Sequence, residues 1–97
     1  MAAYLMLFKF TQKGIETVRE SPERVEKVMD LVRKLGGETK GFYLLLGRYD
    51  TAVFLEAPDD ETAAKISLAI SSKGYASTET LRGFTLEEFR KIAADLP

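Results

Sequence analysis

Hydrophobic residues change period along the chain, and the changes mark its elements. Ala3–Phe10 (AYLMLFKF) is an unbroken apolar and aromatic run, too short for a free-standing helix, and predicts a strand. Thr11–Glu20 is polar, with Ile15 and Val18 able to form one short turn. From Ser21 the period becomes helical: Val25, Val28, Met29, Val32 and Leu35 lie on one stripe, with charged residues between them. Ser21 suits the N-cap and Pro22 the first helical position, and Gly36-Gly37 ends the helix.

Gly41–Leu46 (GFYLLL) and Thr51–Ala57 (TAVFLEA) predict two strands. The short Gly47-Arg48-Tyr49-Asp50 turn joins them into a hairpin. Pro58 closes the second strand, and Asp59, Asp60 and Glu61 put negative charge where a helix begins. That helix runs to about Lys73 and stops at Gly74. Tyr75–Gly83 is a fourth, more polar strand, rich in Ser and Thr. Thr85-x-x-Glu88 reads as a capping box, with Phe84 and Phe89 as its hydrophobic staple. The last helix, to about Leu96, carries Leu86, Phe89, Ile92, Ala93 and Leu96 at helical spacing.

The order β-α-β-β-α-β plus a C-terminal helix predicts an α+β fold in one domain, residues 1–97. The expected architecture is the ferredoxin-like sandwich: a four-stranded antiparallel sheet with two helices on one face. Right-handed crossovers set the strand order as 4-1-3-2.

Such a sandwich leaves one sheet face in water, so its strands should alternate apolar and polar. These do not. Tyr4, Met6, Phe8 and Phe10 stand opposite Leu5 and Leu7; Phe42, Leu44 and Leu46 opposite Tyr43 and Leu45; Val53 and Leu55 opposite Ala52 and Phe54. The second face needs a cover. The C-terminal helix has too few turns for four strands, so a second copy packed sheet to sheet is the expected partner.

Composition narrows the chemistry. The 97 residues carry 14 basic and 15 acidic side chains, with no block of like charge, which argues against a nucleic-acid or polybasic membrane surface. There is no Cys, His or Trp, and no Asn stands in the sequence. Thiol nucleophiles, thiolate metal sites and the usual haem and zinc ligands are therefore missing. No metal and no cofactor are expected. No apolar run has the length of a membrane span, and Met1-Ala2-Ala3 lacks the charge of a signal-peptide start. The chain reads as cytoplasmic.

Topology brings the Thr11–Glu20 loop, the start of the first long helix, the Gly47–Asp50 turn and Tyr75 to one end of the sheet. Arg48, Tyr49, Asp50, Gln12, Lys13 and Tyr75 are the candidate ligand-binding residues there. Two readings of the turn stand together. Gly47 is a structural turn residue and Asp50 caps backbone N–H groups; alternatively, Arg48 and Asp50 clamp a ligand against Tyr49. Thr78, Glu79, Thr80 and Arg82 form a second cluster. It is either an edge strand kept soluble by polar groups or, by the period of two, one wall of an interface cavity.

Several stretches together resemble the GYD-domain family of small bacterial and archaeal proteins. They are Thr11-Gln-Lys-Gly14-Ile15, Ser21-Pro22-Glu23-Arg24, Lys40-Gly41-Phe42-Tyr43, Leu46-Gly47-Arg48-Tyr49-Asp50, Glu56-Ala57-Pro58-Asp59-Asp60 and Thr78-Glu79-Thr80-Leu81-Arg82. The family is named for the Gly-x-Tyr-Asp turn, matched by Gly47, Tyr49 and Asp50. The resemblance implies a ferredoxin-like fold of the dimeric α/β-barrel type and implies no activity. A looser likeness is to the effector-binding domain of the Lrp/AsnC regulators, without their DNA-binding helices. Dimeric α/β-barrel enzymes are further cousins, whose usual His, Trp and Asn are absent here.

The first functional expectation is a non-enzymatic, homo-oligomeric binding module for a small polar or anionic metabolite at or near a subunit interface, with no catalytic residue. A cofactor-free enzyme is the alternative, with Glu79 or Asp50 as base and Arg48 or Arg82 stabilising an oxyanion. A subunit whose site is a protein surface is the third.

Overall fold

The structure is a computed structural model and describes residues 1–97. Strand β1 (Ala2–Phe10) is followed by the short helix α1 (Gln12–Glu16), a 3₁₀ turn (Val18–Glu20) and helix α2 (Ser21–Lys34). Then come β2 (Glu38–Leu44), β3 (Thr51–Ala57), α3 (Asp60–Ser71), β4 (Ala76–Gly83) and α4 (Leu86–Ala94). All pairings are antiparallel, in the order β2-β3-β1-β4, which counted from the β4 edge is 4-1-3-2.

Beyond shifts of one or two residues at the start of β1 and the ends of α3 and α4, three boundaries differ from the sequence reading. The hairpin strand spans Glu38–Leu44 rather than Gly41–Leu46, because Leu45 already bonds Asp50 across the turn (Leu45 N–H to Asp50 carbonyl, 2.8 Å). Ser21 is the first helical residue of α2, not its cap; the preceding 3₁₀ turn delivers the chain already helical, with Glu20 at the cap position and no side-chain cap bond. Tyr75 lies just before β4, held outside the strand by the Gly74 turn (φ +84°). The polar Thr11–Glu20 stretch is ordered into α1 and the 3₁₀ turn, with the Thr11 side chain capping Gly14 N–H at 3.1 Å.

Helices α2 and α3 cover one face of the sheet. Tyr4, Met6 and Phe8 of β1 meet Val53, Leu55 and Ala57 of β3 beneath Val32 of α2 and Ala63 and Ile66 of α3. This cluster is best closed at the level of Met6 and Leu55, where Val32 and Ile66 are also fully buried. The capping box of Thr85 and Glu88 at the start of α4 follows the sequence, and Asp59, one of the acidic residues read at the start of α3, proves to be its cap, accepting Thr62 N–H at 2.8 Å.

The opposite face is open. Register places Leu5 between Phe54 and Leu81, and Leu7 between Ala52 and Glu79, with Tyr43 beyond Ala52. Tyr43, Phe54 and Leu81 are 60%, 45% and 42% exposed. Helix α4 does not cover them. It packs on no other element to any extent, and Leu86, Phe89, Ile92 and Leu96 all face solvent. The chain is accordingly long and thin, 51 × 30 × 18 Å. Its accessible surface is 6759 Å², against about 5,600 Å² for a compact folded chain of this mass.

Candidate functional site

The Gly47–Asp50 turn works as a strap across the end of β1. Gly47 takes φ +110°, the left-handed region that side chains resist, and so turns the chain back. The regular β1–β3 ladder ends at Phe8 and Thr51. Asp50 extends it: its N–H donates to the Phe8 carbonyl at 2.8 Å, and its carboxylate accepts Phe10 N–H at 2.8 Å. Tyr49 reaches past β1 to β4, its hydroxyl donating to Glu79 Oε1 at 2.9 Å, with Lys9 Nζ 5.6 Å from its ring centre. The hydrogen bond to Glu79 raises the Tyr49 pKa, because ionising the phenol would place a second negative charge beside the carboxylate. Three residues of the turn thus hold the sheet together, while Arg48 is exposed and has no carboxylate within 4 Å.

The other residues expected at this end do gather, in a second cluster. Thr11 N–H donates to the Tyr75 carbonyl at 3.1 Å, and the Thr11 hydroxyl donates to the Gly74 carbonyl at 2.6 Å. These bonds fix Tyr75 against α1. Lys13 Nζ lies 4.5 Å and the Arg24 guanidinium 4.1 Å from the Tyr75 ring centre. Gln12 is apart from them, its side-chain amide bonded to Glu16 at 2.9 Å on the outer side of α1. Sequence reasoning did not single out Arg24 as a site residue. It reads as one of many charged positions on the polar side of α2, and only the fold brings it onto Tyr75.

The β4 cluster divides between the two faces. Ser77, Glu79 and Leu81 share the open face with Leu5 and Leu7, whereas Thr78, Thr80 and Arg82 oppose Phe8, Met6 and Tyr4 on the helix side. Thr78 Oγ1 is 2.8 Å from Ser67 Oγ and 3.1 Å from Ser71 Oγ, a hydroxyl network tying α3 to β4. Arg82 stacks on Phe84, 4.5 Å from its ring centre, and lies 3.8 Å from Asp60. Asp60 also accepts the Tyr4 hydroxyl at 2.6 Å. Burial, then this hydrogen bond, pushes the Tyr4 phenol up to about 12.

Between α2 and α3 the helix face is not fully closed. A cleft of about 640 Å³ opens there, floored by Phe8, Phe10, Phe42 and Val53, with Tyr75 at one end. No group of three or more His, Cys, Asp or Glu is arranged to hold a metal ion. No helix is long and apolar enough to cross a membrane.

Comparison with known proteins places these features. The sequence profile of the GYD domain matches residues 4–93. A relative from Thermus thermophilus is 33% identical over 89 residues, covering 91% of this chain and 94% of its own length. It is named "Glutamine synthetase and cystathionine beta-lyase binding protein". The crystal structure of TTHA0845, also from Thermus thermophilus, shares the fold, with a TM-score of 0.57 at 21% identity, over 88% of this chain and 95% of that one.

Proposed function

The chain belongs to the GYD-domain family, and we propose that it is a non-enzymatic protein-binding module that works as a homo-oligomer. The observation that carries this reading is the uncovered apolar sheet face of Leu5, Leu7, Tyr43, Phe54 and Leu81. Burying a Leu or Phe side chain contributes roughly 1.5–3 kcal/mol, so several such residues on one face favour a lasting partner. The surface excess points the same way. Roughly 1,200 Å² more than a compact chain needs is ample for one side of a standard interface, about 800 Å² per partner.

We read the fold as a ferredoxin-like sandwich pairing sheet to sheet, as in dimeric α/β-barrel proteins. A second copy suits the face because an isologous contact covers both sheets at once. The T. thermophilus relative is named for binding glutamine synthetase and cystathionine beta-lyase. By this reading the assembled module offers its remaining surface, Arg48 included, to enzymes of that kind.

Light scattering at micromolar concentration tests the first half: a dimer or larger assembly is expected, converted to monomer by Phe54→Glu or by Leu81→Glu. A monomeric wild-type chain overturns it. Biolayer interferometry against purified glutamine synthetase and cystathionine β-lyase of the source organism tests the second half. Failure of both enzymes to bind at micromolar concentration sinks the enzyme-partner reading and leaves self-association standing.

A further inference from the structure

The cleft between α2 and α3 is polar at one end and apolar at the other. At the level of Met6, Val32 and Ile66 close the core completely. Nearer Phe8 and Phe10, the facing positions are Val25 and Val28 on α2 and Ala69 and Ile70 on α3. Val and Ala side chains are too short to meet across the gap, so Phe10 and Phe42 stay half-buried on its floor, where the buried Phe8 and Val53 show only an edge. At about 640 Å³, the cleft has the size of pockets that hold small organic ligands.

The polar end carries unneutralised positive charge. Arg24, Lys27 and Lys73 line the cleft, and Lys13 adjoins it over Tyr75. None of the four has a carboxylate within 4 Å, since the ion pairs of the chain involve only Arg33, Lys40 and Arg82. Glu20 and Glu23 also line this end and keep that distance from the cations. For an exposed Lys, water is partner enough. Arg24 is half-buried, and its guanidinium has given only two of five N–H donors to Thr17, at 3.2 and 3.3 Å. The same end holds the start of α2, which has no side-chain cap. Tyr75 is held rigidly there, its carbonyl so close to Gly14 that a Cβ on Gly14 would stand 2.0 Å from it. Arg24 is therefore presented on a fixed platform.

We propose that this cleft binds a small carboxylate with a hydrocarbon body. The carboxylate lies on Arg24 and Lys73, and the body runs between Val28 and Ile70 over Phe10 and Phe42. Arg24 supplies charge-assisted hydrogen bonds, and the floor excludes water from the hydrocarbon. The site is independent of the open sheet face, on the other side of the sheet.

Decanoate and its neutral analogue decanol are the probes, followed by methyl NMR on protein labelled at Ile, Leu and Val. Decanoate is expected to shift Val28, Val53 and Ile70 and leave Leu5, Leu7 and Leu81 unmoved. It should bind at least tenfold more tightly than decanol. Arg24→Gln should cost ten- to hundredfold in decanoate affinity and leave decanol unchanged. Lys73→Gln, which removes an exposed charge, should weaken decanoate several-fold even where Arg24→Gln fails to fold. Shifts confined to the sheet face or α4, equal affinity for the two probes, or full decanoate affinity in both variants overturns the proposal. Light scattering on the same samples reads the oligomeric state separately, so loss of the assembly and loss of the site are told apart.

Discussion

The carboxylate of Asp50 accepts the backbone N–H of Phe10 at 2.8 Å, forty residues away in sequence. It completes the ladder where β3 has run out, and the N–H it satisfies is partly buried. The same residue's own N–H donates to the Phe8 carbonyl. One Asp thereby ties the hairpin to the central strand twice.

Asp50→Ala removes the side-chain half of that tie. A hydrogen bond to a charged group contributes about 1.5–3 kcal/mol, so the midpoint of thermal unfolding should fall by roughly 6–24 °C in a chain of this size. Arg48→Ala, next to it but exposed and unpaired, should stay within about 0.5 kcal/mol of the parent. Melting curves at one fixed protein concentration compare them. Equal loss in both variants contradicts the strap.

Two glycines separate backbone strain from steric clash. A Cβ on Gly47 meets nothing within 4 Å, but its φ of +110° resists any side chain. Gly47→Val should therefore cost about 1–3 kcal/mol through the backbone alone. Gly14 lacks that strain, yet a Cβ there would lie 2.0 Å from the Tyr75 carbonyl oxygen. Because that contact is with backbone, α1 and the Tyr75 turn must move apart. Denaturant midpoints should rank the parent above Gly47→Ala, and Gly47→Ala above Gly14→Ala. A Gly14→Ala variant as stable as the parent means the α1 packing is looser than described.

Period and punctuation made the elements legible. Val25, Val28, Met29 and Val32 spell out α2, and Thr85 with Glu88 marks the start of α4. The two-sided strands also announced an open apolar face, which is present at Leu5, Leu7 and Phe54. Relations between distant side chains left no such trace. Tyr49 meets Glu79 across β1, and Arg24 meets Tyr75 across the end of the sheet. Neither pairing has a sequence period, because each depends on where two separate elements finish. Ser21 shows a local limit: its residue type fits a cap, but the 3₁₀ turn before it moves the helix start by one residue. The apolar stripe of α4 was readable, while its lack of a partner within the chain was not.

Tyr4 offers a test by pH. Its phenol is held up at about 12 instead of 10.0, by burial first and then by the bond to Asp60. Folding thus favours the protonated phenol. The stability this gives is fully present below pH 10 and is lost as pH rises through about 12. Ultraviolet titration at 295 nm should show one of the four tyrosines ionising last. Tyr4→Phe should abolish that late step and flatten the fall in stability between those two pH values. A Tyr4→Phe protein with the parent's alkaline profile assigns the effect elsewhere.

Helix α4 leads to the last expectation. Its capping box holds it helical, with Thr85 accepting Glu88 N–H at 3.1 Å and Glu88 accepting Thr85 N–H at 2.9 Å. Yet Leu86, Phe89, Ile92 and Leu96 stay 45% to 69% exposed, and α4 has no substantial contact with another element of its own chain. Replacing Phe89 and Ile92 by Ser therefore removes no contact from the core beneath α2 and α3. If the chain associates as proposed, the stripe is the second apolar surface the assembly has to cover, and losing two large side chains weakens it by about 3–6 kcal/mol. The double variant should keep the parent's circular dichroism, and sedimentation should show a dissociation constant raised at least a hundredfold. Its melting temperature should fall at a given protein concentration and depend less steeply on that concentration, since the stability borrowed from a partner shrinks as the dissociation constant rises. A variant that sediments like the parent but melts earlier at every concentration places α4 on its own chain, against the structure.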